Sequence, residues 1–294
     1  MAVIRLFEPP VTSRGSFLLA FSETVANDGT MELQSPSLPD ELFRQVEPLR
    51  KCSYLDGERE SLDCRIFQSL TPGQVEHFIS RGWRKFSCMV FRPVCPACTK
   101  CVPLRVDIQN FRPSKSQRKT LRRNSDIQTQ VRRATVSTDH VRLYNAWHAD
   151  MTIRSGWREQ RTDTQDYFQN FLLGDFPSLH EILYFRDREL VGVGLIDVMP
   201  NSISSVYFYH DPDWRAHAPG TFSLLTELEL ARKWGLKYSY LGFWIEQCPS
   251  MAYKNRYHPH EVLSGRPGDN EEPVWLKVSD GSRNVASQDA SRKG

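Results

Sequence analysis

Three of the seven cysteines stand in the run Cys95-Pro-Ala-Cys98-Thr-Lys-Cys101, two overlapping C-x-x-C steps within seven residues. Thiolates spaced by two residues on a turn can chelate one tetrahedral Zn or anchor an iron-sulfur cluster, and a fourth ligand must then come from elsewhere in the chain. Cys52 is the first candidate, so the expected metal set is Cys52, Cys95, Cys98 and Cys101. The alternative is a turn of reduced thiols that holds no metal. An odd, clustered set of cysteines points to metal or thiol chemistry before disulfides. Cys64, Cys88 and Cys248 read as ordinary buried side chains.

A second constellation is electrostatic. Lys115, Arg118, Lys119, Arg122 and Arg123 follow Ser114 at steps of three and four residues, so on a helix most of them share one face and can span several phosphates. A solvated surface helix is the plainer reading, but such helices usually intersperse Glu for ion pairing, and this one carries none. Nine Lys or Arg against only Asp107 and Asp126 give residues 105–133 a net charge of +7, so the whole-chain value of +3 hides a mildly acidic remainder.

Further candidates lie in the second half. Asp197 interrupts an apolar strand pattern, which makes it either a carboxylate aimed into a cleft or a residue at a strand end. Tyr207 could donate its phenolic hydrogen to a reacting carbonyl, or be a half-buried strand tyrosine. In the segment MAYKNRY, Lys254 suits the 3′ end of a nucleic acid, and Tyr253 and Arg256 suit a carboxylate, because Lys and Arg match both kinds of anion.

These groups need elements to hold them. Thr71-Pro72 followed by apolar Val75, Phe78 and Ile79 and stopped by Gly82 predicts a short capped helix. Residues 83–92 and 105–111 read as extended, with the cysteines on the turn between them, and a short helix is expected over 40–46. Helical spacing marks 137–151 and 163–173. Strand signals at 181–185, 190–198 and 202–209, the last two joined by Met199-Pro200-Asn201, predict an antiparallel meander. A helix over 221–234 and a strand over 237–245 follow. The expected organisation is a loose extension (1–45), a cysteine-bearing region with the basic helix (46–133), a mixed α/β (α+β) acyltransferase-like domain (137–265) and a mostly disordered tail (266–294).

With 39% hydrophobic and 25% charged residues in 294, the chain can bury a sizeable core and is neither a disordered nor a membrane-embedded polymer. No apolar run approaches the ~20 residues of a spanning helix. The first residues, MAVIRLFEPP, lack an export signal, so a cytoplasmic monomer is expected.

Several blocks carry a resemblance: CSYLDGERES from Cys52, ISRGWRKFSCMVFRPVCPACTKCVPLRV from Ile79, FRPSKSQRKTLRRN from Phe111, VGVGLIDVMPNSISSVYFYHDPD from Val191 and LGFWIEQCPSMAYKNRYHPHEVL from Leu241. In this order, over about residues 50–263, the chain resembles the arginyl-tRNA-protein transferase family, which includes compact bacterial leucyltransferases. The resemblance implies transfer of arginine or leucine from charged tRNA to the α-amine of proteins beginning with Asp or Glu, which makes a degradation signal. It also implies a cysteine-bearing N-terminal region joined to a domain similar to Gcn5-related acetyltransferases (GNAT-like). Compact bacterial members typically carry Pro where Asp56 stands here, and an Arg-His pair near Met151-Thr152, so the donor amino acid is left open. Two rivals stand beside it: an acetyl-coenzyme A N-acetyltransferase on the same fold, and a non-enzymatic zinc-ribbon module for nucleic acid, which would explain Cys95 to Arg123 but leave the MAYKNRY block unused. Coenzyme A is not expected, because Trp214-Arg215-Ala216-His217-Ala218-Pro219-Gly220 is too poor in glycine, and its Pro lacks the amide hydrogen that a pyrophosphate cradle uses.

Overall fold

The computed structural model describes residues 40–278. Strands β1 (Phe43–Val46), β2 (Arg50–Lys51), β3 (Arg59–Glu60) and β4 (Leu62–Ile66) open the chain, followed by helix α1 (Pro72–Ser80) and the hairpin of β5 (Arg84–Phe86) and β6 (Met89–Pro93). Next come β7 (Val102–Asp107), α2 (Lys115–Arg123), β8 (Gln128–Arg133), α3 (Thr138–Ser155) and α4 (Thr164–Phe171). The meander of β9 (Leu179–Arg186), β10 (Glu189–Val198) and β11 (Ser202–His210) leads to α5 (Pro219–Lys233), β12 (Tyr238–Trp244), α6 (Pro249–Ala252), β13 (His260–Leu263) and β14 (Trp275–Lys277).

The helices start where local chemistry demands. In α1, Thr71 and Gln74 cap each other reciprocally, and Ser114 and Gln117 do the same for α2. Each pair satisfies amide donors that the first turn of a helix leaves without carbonyl partners. Ser137 and Asp163 cap α3 and α4. The helix expected over 40–46 is instead β1, because its backbone pairs with β4 from Phe43 against Ile66 to Val46 against Asp63, a long-range ladder that outweighs local propensity.

The strands form a four-stranded sheet, β1-β4-β6-β5, and an eight-stranded sheet, β14-β13-β7-β12-β11-β10-β9-β8. The larger sheet corrects the expected division near residue 135: β7 lies between β13 and β12, and β8 extends the meander beside β9. Both segments were assigned to the cysteine-bearing region, yet their hydrogen bonds belong to the second half. Residues 266–278 also join it, through β14 paired to β13. The expectations for 1–39 and 279–294 lie outside the described residues.

Alternation along the strands divides the core between two faces. Leu183, Val193, Leu195 and Tyr209 pack with Leu143, Tyr144 and Trp147 of α3, and α1 with Trp83 joins the same cluster. Ile182, Tyr184, Ile196 and Ile203 point the other way, onto Phe222, Leu225 and Leu228 of α5. The result is the expected mixed helix-and-sheet chain with a cysteine-bearing N-terminal region.

One irregularity shapes everything near the site. β11 and β12 run parallel but pair only from Ser202 with Tyr238 to Ser204 with Tyr240. Beyond that the strands diverge, β11 toward His210 and β12 toward Trp244, with shifts of register at Leu195/Ile196 in β10 and at Tyr240/Gly242 in β12. Gly242 lies at φ +80°, and a Cβ there would stand 3.1 Å from the Arg84 guanidinium. Gly242→Ala should therefore lower Tm by several degrees and displace Arg84, since left-handed backbone strain of about 1 kcal/mol adds to the collision; an unchanged Tm would show that the divergence does not need the missing Cβ.

Candidate active site

The divergence of β11 and β12 opens a cleft. Ser205, Val206, Tyr207 and Phe208 of β11 and Leu241 of β12 form its sides. α5 adds Gly220, Ser223, Leu224 and Glu227, the α3 end adds Trp147 and Trp157, and the segment around α6 adds Ser250, Met251, Tyr253 and Lys254. Arg84 reaches in from β5.

Two cations complete the backbone that the divergence leaves open. Arg84 Nη2 donates to the Ser205 carbonyl, the first β11 residue beyond the paired stretch, and Nη1 donates to Ser204 Oγ at 3.0 Å. Lys254 Nζ donates to the Phe243 carbonyl of β12 at 2.8 Å. Buried carbonyls must find donors, and here side-chain cations take the place of strand partners. Burial, and then the charge of Arg84, push the Lys254 amine down to about 7.

Opposite them lies a carboxylate. Glu227 is buried on α5 and accepts hydrogen bonds from Ser205 Oγ and, at 3.4 Å, from Ser223 Oγ. Ser223 in turn accepts from the Tyr184 hydroxyl at 3.0 Å. Desolvation pushes the Glu227 carboxyl up to about 7, with the serines and Arg84 working against it. Near neutral pH this group can either give or take a proton. Tyr207, 8% exposed in the cleft wall, buries its hydroxyl against that of Tyr144, and burial raises it well above the usual phenol range. Trp147 stacks edge-on against both Tyr207, at 5.8 Å, and Trp157, at 5.1 Å, which makes this side of the cleft aromatic.

The sequence candidates scatter in an informative way. Tyr207, Tyr253 and Lys254 line the cleft. Asp197 does not: fully buried, it is 3.0 Å from Lys85 Nζ and accepts from Ser178 Oγ at 2.6 Å, so the carboxylate expected in a cleft closes a core ion pair instead. Arg256 is exposed outside the cleft, and its carbonyl accepts from Gln117 of α2 at 3.3 Å. Sequence reasoning missed Arg84 and Glu227. Arg84 sits in an unremarkable strand, and Glu227 in an amphipathic helix where a carboxylate reads as surface. The one available signal was that Glu227 falls one residue before Leu228, on the apolar stripe of α5.

Lys115, Arg118, Lys119, Arg122 and Arg123 are all exposed on α2, and none pairs with a carboxylate among the described residues. The helix is fastened to the cleft. Its C-cap Asn124 donates to the His217 carbonyl and accepts from Trp214 Nε1 at 2.7 Å, while Arg123 donates to the Ala216 carbonyl. These contacts fix the turn that feeds directly into α5 and Glu227.

The cysteines gather but do not form a ligand set. The half-buried Cys101 thiol is pushed up to about 12 by burial and by neighbouring Cys95, Cys52 and Cys98. Cys95 Sγ instead faces the Ser61 carbonyl at 3.8 Å, and Cys52 Sγ accepts from the Tyr54 amide at 3.4 Å. Among the described residues no group of three or more His, Cys, Asp or Glu is arranged to hold a metal. The expected set Cys52, Cys95, Cys98 and Cys101 thus does not fit Zn or an iron-sulfur cluster as it stands, and no chemical step is derived through one. Nor is any helix of the described residues long and apolar enough to cross a membrane.

Comparison with known proteins adds independent findings. Residues 50–119 match the family model described as the N terminus of arginine-tRNA-protein transferase, and residues 139–264 match that of its C terminus. The chain is 36% identical over 224 residues to an aspartate/glutamate leucyltransferase of Helicobacter hepaticus, covering 76% of this chain and 93% of the relative. A protein of the same description from Campylobacter jejuni is 31% identical over 228 residues, covering 77% and 95%. Among solved structures, L-PGS from Bacillus licheniformis is similar with a TM-score of 0.38 at 12% identity, over 68% of each chain. The GCN5-related glucosamine N-acetyltransferase region of a fungal multi-domain β-N-acetylglucosaminidase gives 0.32 at 12% identity, over 55% of this chain and 19% of that one.

Two variants separate architecture from chemistry. Asp197→Ala leaves Lys85 buried without its partner and should cost about 3–5 kcal/mol in denaturant unfolding; a variant that keeps full stability yet loses activity would return Asp197 to the catalytic list. Glu227→Gln acts in the opposite direction. A folded-state carboxyl raised to about 7 contributes stability below its unfolded value near 4.5 and loses it as pH rises through 7. The Gln variant should therefore melt a few degrees above the parent at pH 8 and level with it at pH 4.5, and equal melting at both would show that Glu227 is not desolvated.

Proposed function

The chain belongs to the arginine-tRNA-protein transferase family and is an aminoacyl-tRNA-protein transferase, and from that premise we propose that it moves leucine from charged tRNA to the α-amine of proteins beginning with Asp or Glu. The observation that carries the reading is the cleft between β11 and β12, where one carboxylate, one buried phenol and two cations meet an apolar wall.

Aminolysis of an aminoacyl ester needs a neutral amine, a place for charge on the carbonyl oxygen and a proton for the departing ribose hydroxyl. An α-amine titrates near ~8, so positioning supplies much of the rate. Ionised Glu227 takes the proton from the attacking amine. Tyr207 turns its hydroxyl from Tyr144 to the substrate and stabilises the oxyanion as nitrogen bonds to the carbonyl carbon. As that intermediate collapses, the ester C–O bond breaks and the ribose oxygen takes up the proton that Glu227 carries. Lys254, with donors beyond the one given to Phe243, meets the acidic side chain of the acceptor, and Arg84 adds to the positive potential there.

The donor follows from charge and polarity. Trp147, Trp157, Leu224, Leu241 and Met251 offer a leucyl side chain an apolar surface, whereas a guanidinium would enter beside Arg84 and Lys254. The descriptions of the curated relatives support leucine. α2 supplies phosphate contacts along the tRNA, none of its five cations being paired with a carboxylate among the described residues. Arg256, near α2, belongs with this surface rather than with the acceptor. The enzyme acts as a cytoplasmic monomer where charged tRNA is available, and its product is a degradation signal.

The deciding assay offers labelled Leu-tRNA or Arg-tRNA with peptides starting in Asp, Glu or Ala. Leucine should enter only the acidic peptides; label from Arg-tRNA alone would reverse the donor, and label from neither would remove the reaction. With the active donor, kcat/KM should rise with pH through about 7. Glu227→Gln should flatten that limb and lower the rate about 10²–10⁴-fold. Tyr207→Phe should reduce kcat, and Lys254→Ala should chiefly raise KM for the peptide; a Lys254→Ala enzyme with unchanged acceptor kinetics contradicts its assignment.

A further inference from the structure

A second cavity borders β12, the strand that also lines the cleft. Phe243 lines this cavity, while its carbonyl holds Lys254 on the cleft side. Cys101 and Thr99 of the cysteine turn border it, and three arginines face it: Arg81 after α1, Arg92 in β6 and Arg266 after β13.

No carboxylate lines this space, and none pairs with these arginines among the described residues. Their hydrogen bonds go to neutral acceptors: Arg81 to the His77 carbonyl, Arg92 to the Pro267 carbonyl at 2.8 Å, Arg266 to the Cys98 carbonyl at 3.0 Å. Arg81 is 8% exposed, yet its Nε has no partner, and the buried Nε of Arg92 has none either. The nearest acids are committed elsewhere. Asp63 makes two hydrogen bonds to Arg44, and Asp269 is 2.7 Å from Arg65. Arg92 is further held over the Trp83 ring at 4.4 Å, which fixes the guanidinium in place.

Buried guanidinium donors left without acceptors are costly unless an anion completes them, and the planar fork of arginine matches phosphate oxygens two at a time. Resting on the transfer reaction proposed above, we propose that Arg81, Arg92 and Arg266 form a phosphate site for the 3′-terminal nucleotides of the donor tRNA. A phosphate in this cavity stands one strand away from the cleft, so the tRNA end is pinned beside its ester while α2 holds phosphates farther along.

Arg266 is exposed and can be changed without opening the core. Arg266→Ala should weaken binding of deacylated tRNA several-fold and reduce the slope of log K against log salt by about 0.7–0.9, the loss of one phosphate contact. Transfer from 3′-O-leucyl-adenosine, which has no phosphate, should be unchanged. Arg92→Lys keeps the charge over Trp83 but loses the fork, and should weaken tRNA binding at an unchanged Tm. Unaltered tRNA affinity and salt slope in both variants would overturn the site. A rise in acceptor-peptide KM in place of weaker tRNA binding would overturn it too, by assigning the cavity to the protein substrate. Parent enzyme that binds tRNA with the expected arginine dependence but transfers from neither donor would reject the reaction while leaving the phosphate site standing.

Discussion

The molecule depends on the wedge that Arg84 drives between two strands. Parallel strands that cease to pair leave carbonyls facing one another across a gap, and in a buried sheet that gap would normally close. Arg84 gives the Ser205 carbonyl a donor, Gly242 yields the space for the guanidinium, and Lys254 serves the Phe243 carbonyl on the other strand. The opening is thus a satisfied structure. Because Arg84 comes from the edge strand of the four-stranded sheet, the N-terminal part of the chain contributes to the cleft of the C-terminal part, and the two share a core.

Charge placement distinguishes scaffold from site. In the scaffold several buried ions are closed into pairs: Lys85 with Asp197, Arg65 with Glu41 and Asp269, Glu181 with Arg132 and His140. Glu181 is thereby held below its usual range despite burial, whereas Glu227 rises to about 7 because two serine hydroxyls and the charge of Arg84 do not offset its desolvation. Lys254 falls for the corresponding reason. A paired ion is fixed in one protonation state. An ion that burial destabilises without full compensation is ready to exchange a proton or to receive a charged substrate, and the fold accepts that instability at the cleft.

The surface charge has its own architecture. α2 carries five exposed cations, and Asn124 and Arg123 tie its end to the turn before α5. The modest overall charge of +3 is compatible with tRNA as a partner because the cations are local, in a window of +7.

Much of this was legible in the chain. The N-cap Thr71 named α1 and helical spacing named α3 and α4, and strand signals named the meander, because each of these patterns is local. The basic helix and the family blocks were equally readable. Tertiary structure alone decided the rest: β1 became a strand through β4, and β7 entered the larger sheet between partners from the far end of the chain. Asp197 and Glu227 show the same division in two residues. Both are carboxylates on apolar elements, and only the groups brought to them from distant sequence, Lys85 for one and an open cleft beside Arg84 for the other, made the first structural and the second reactive. Electrostatic environment falls off over a few ångströms of space, and spatial neighbours more than a hundred residues apart leave no pattern in the sequence.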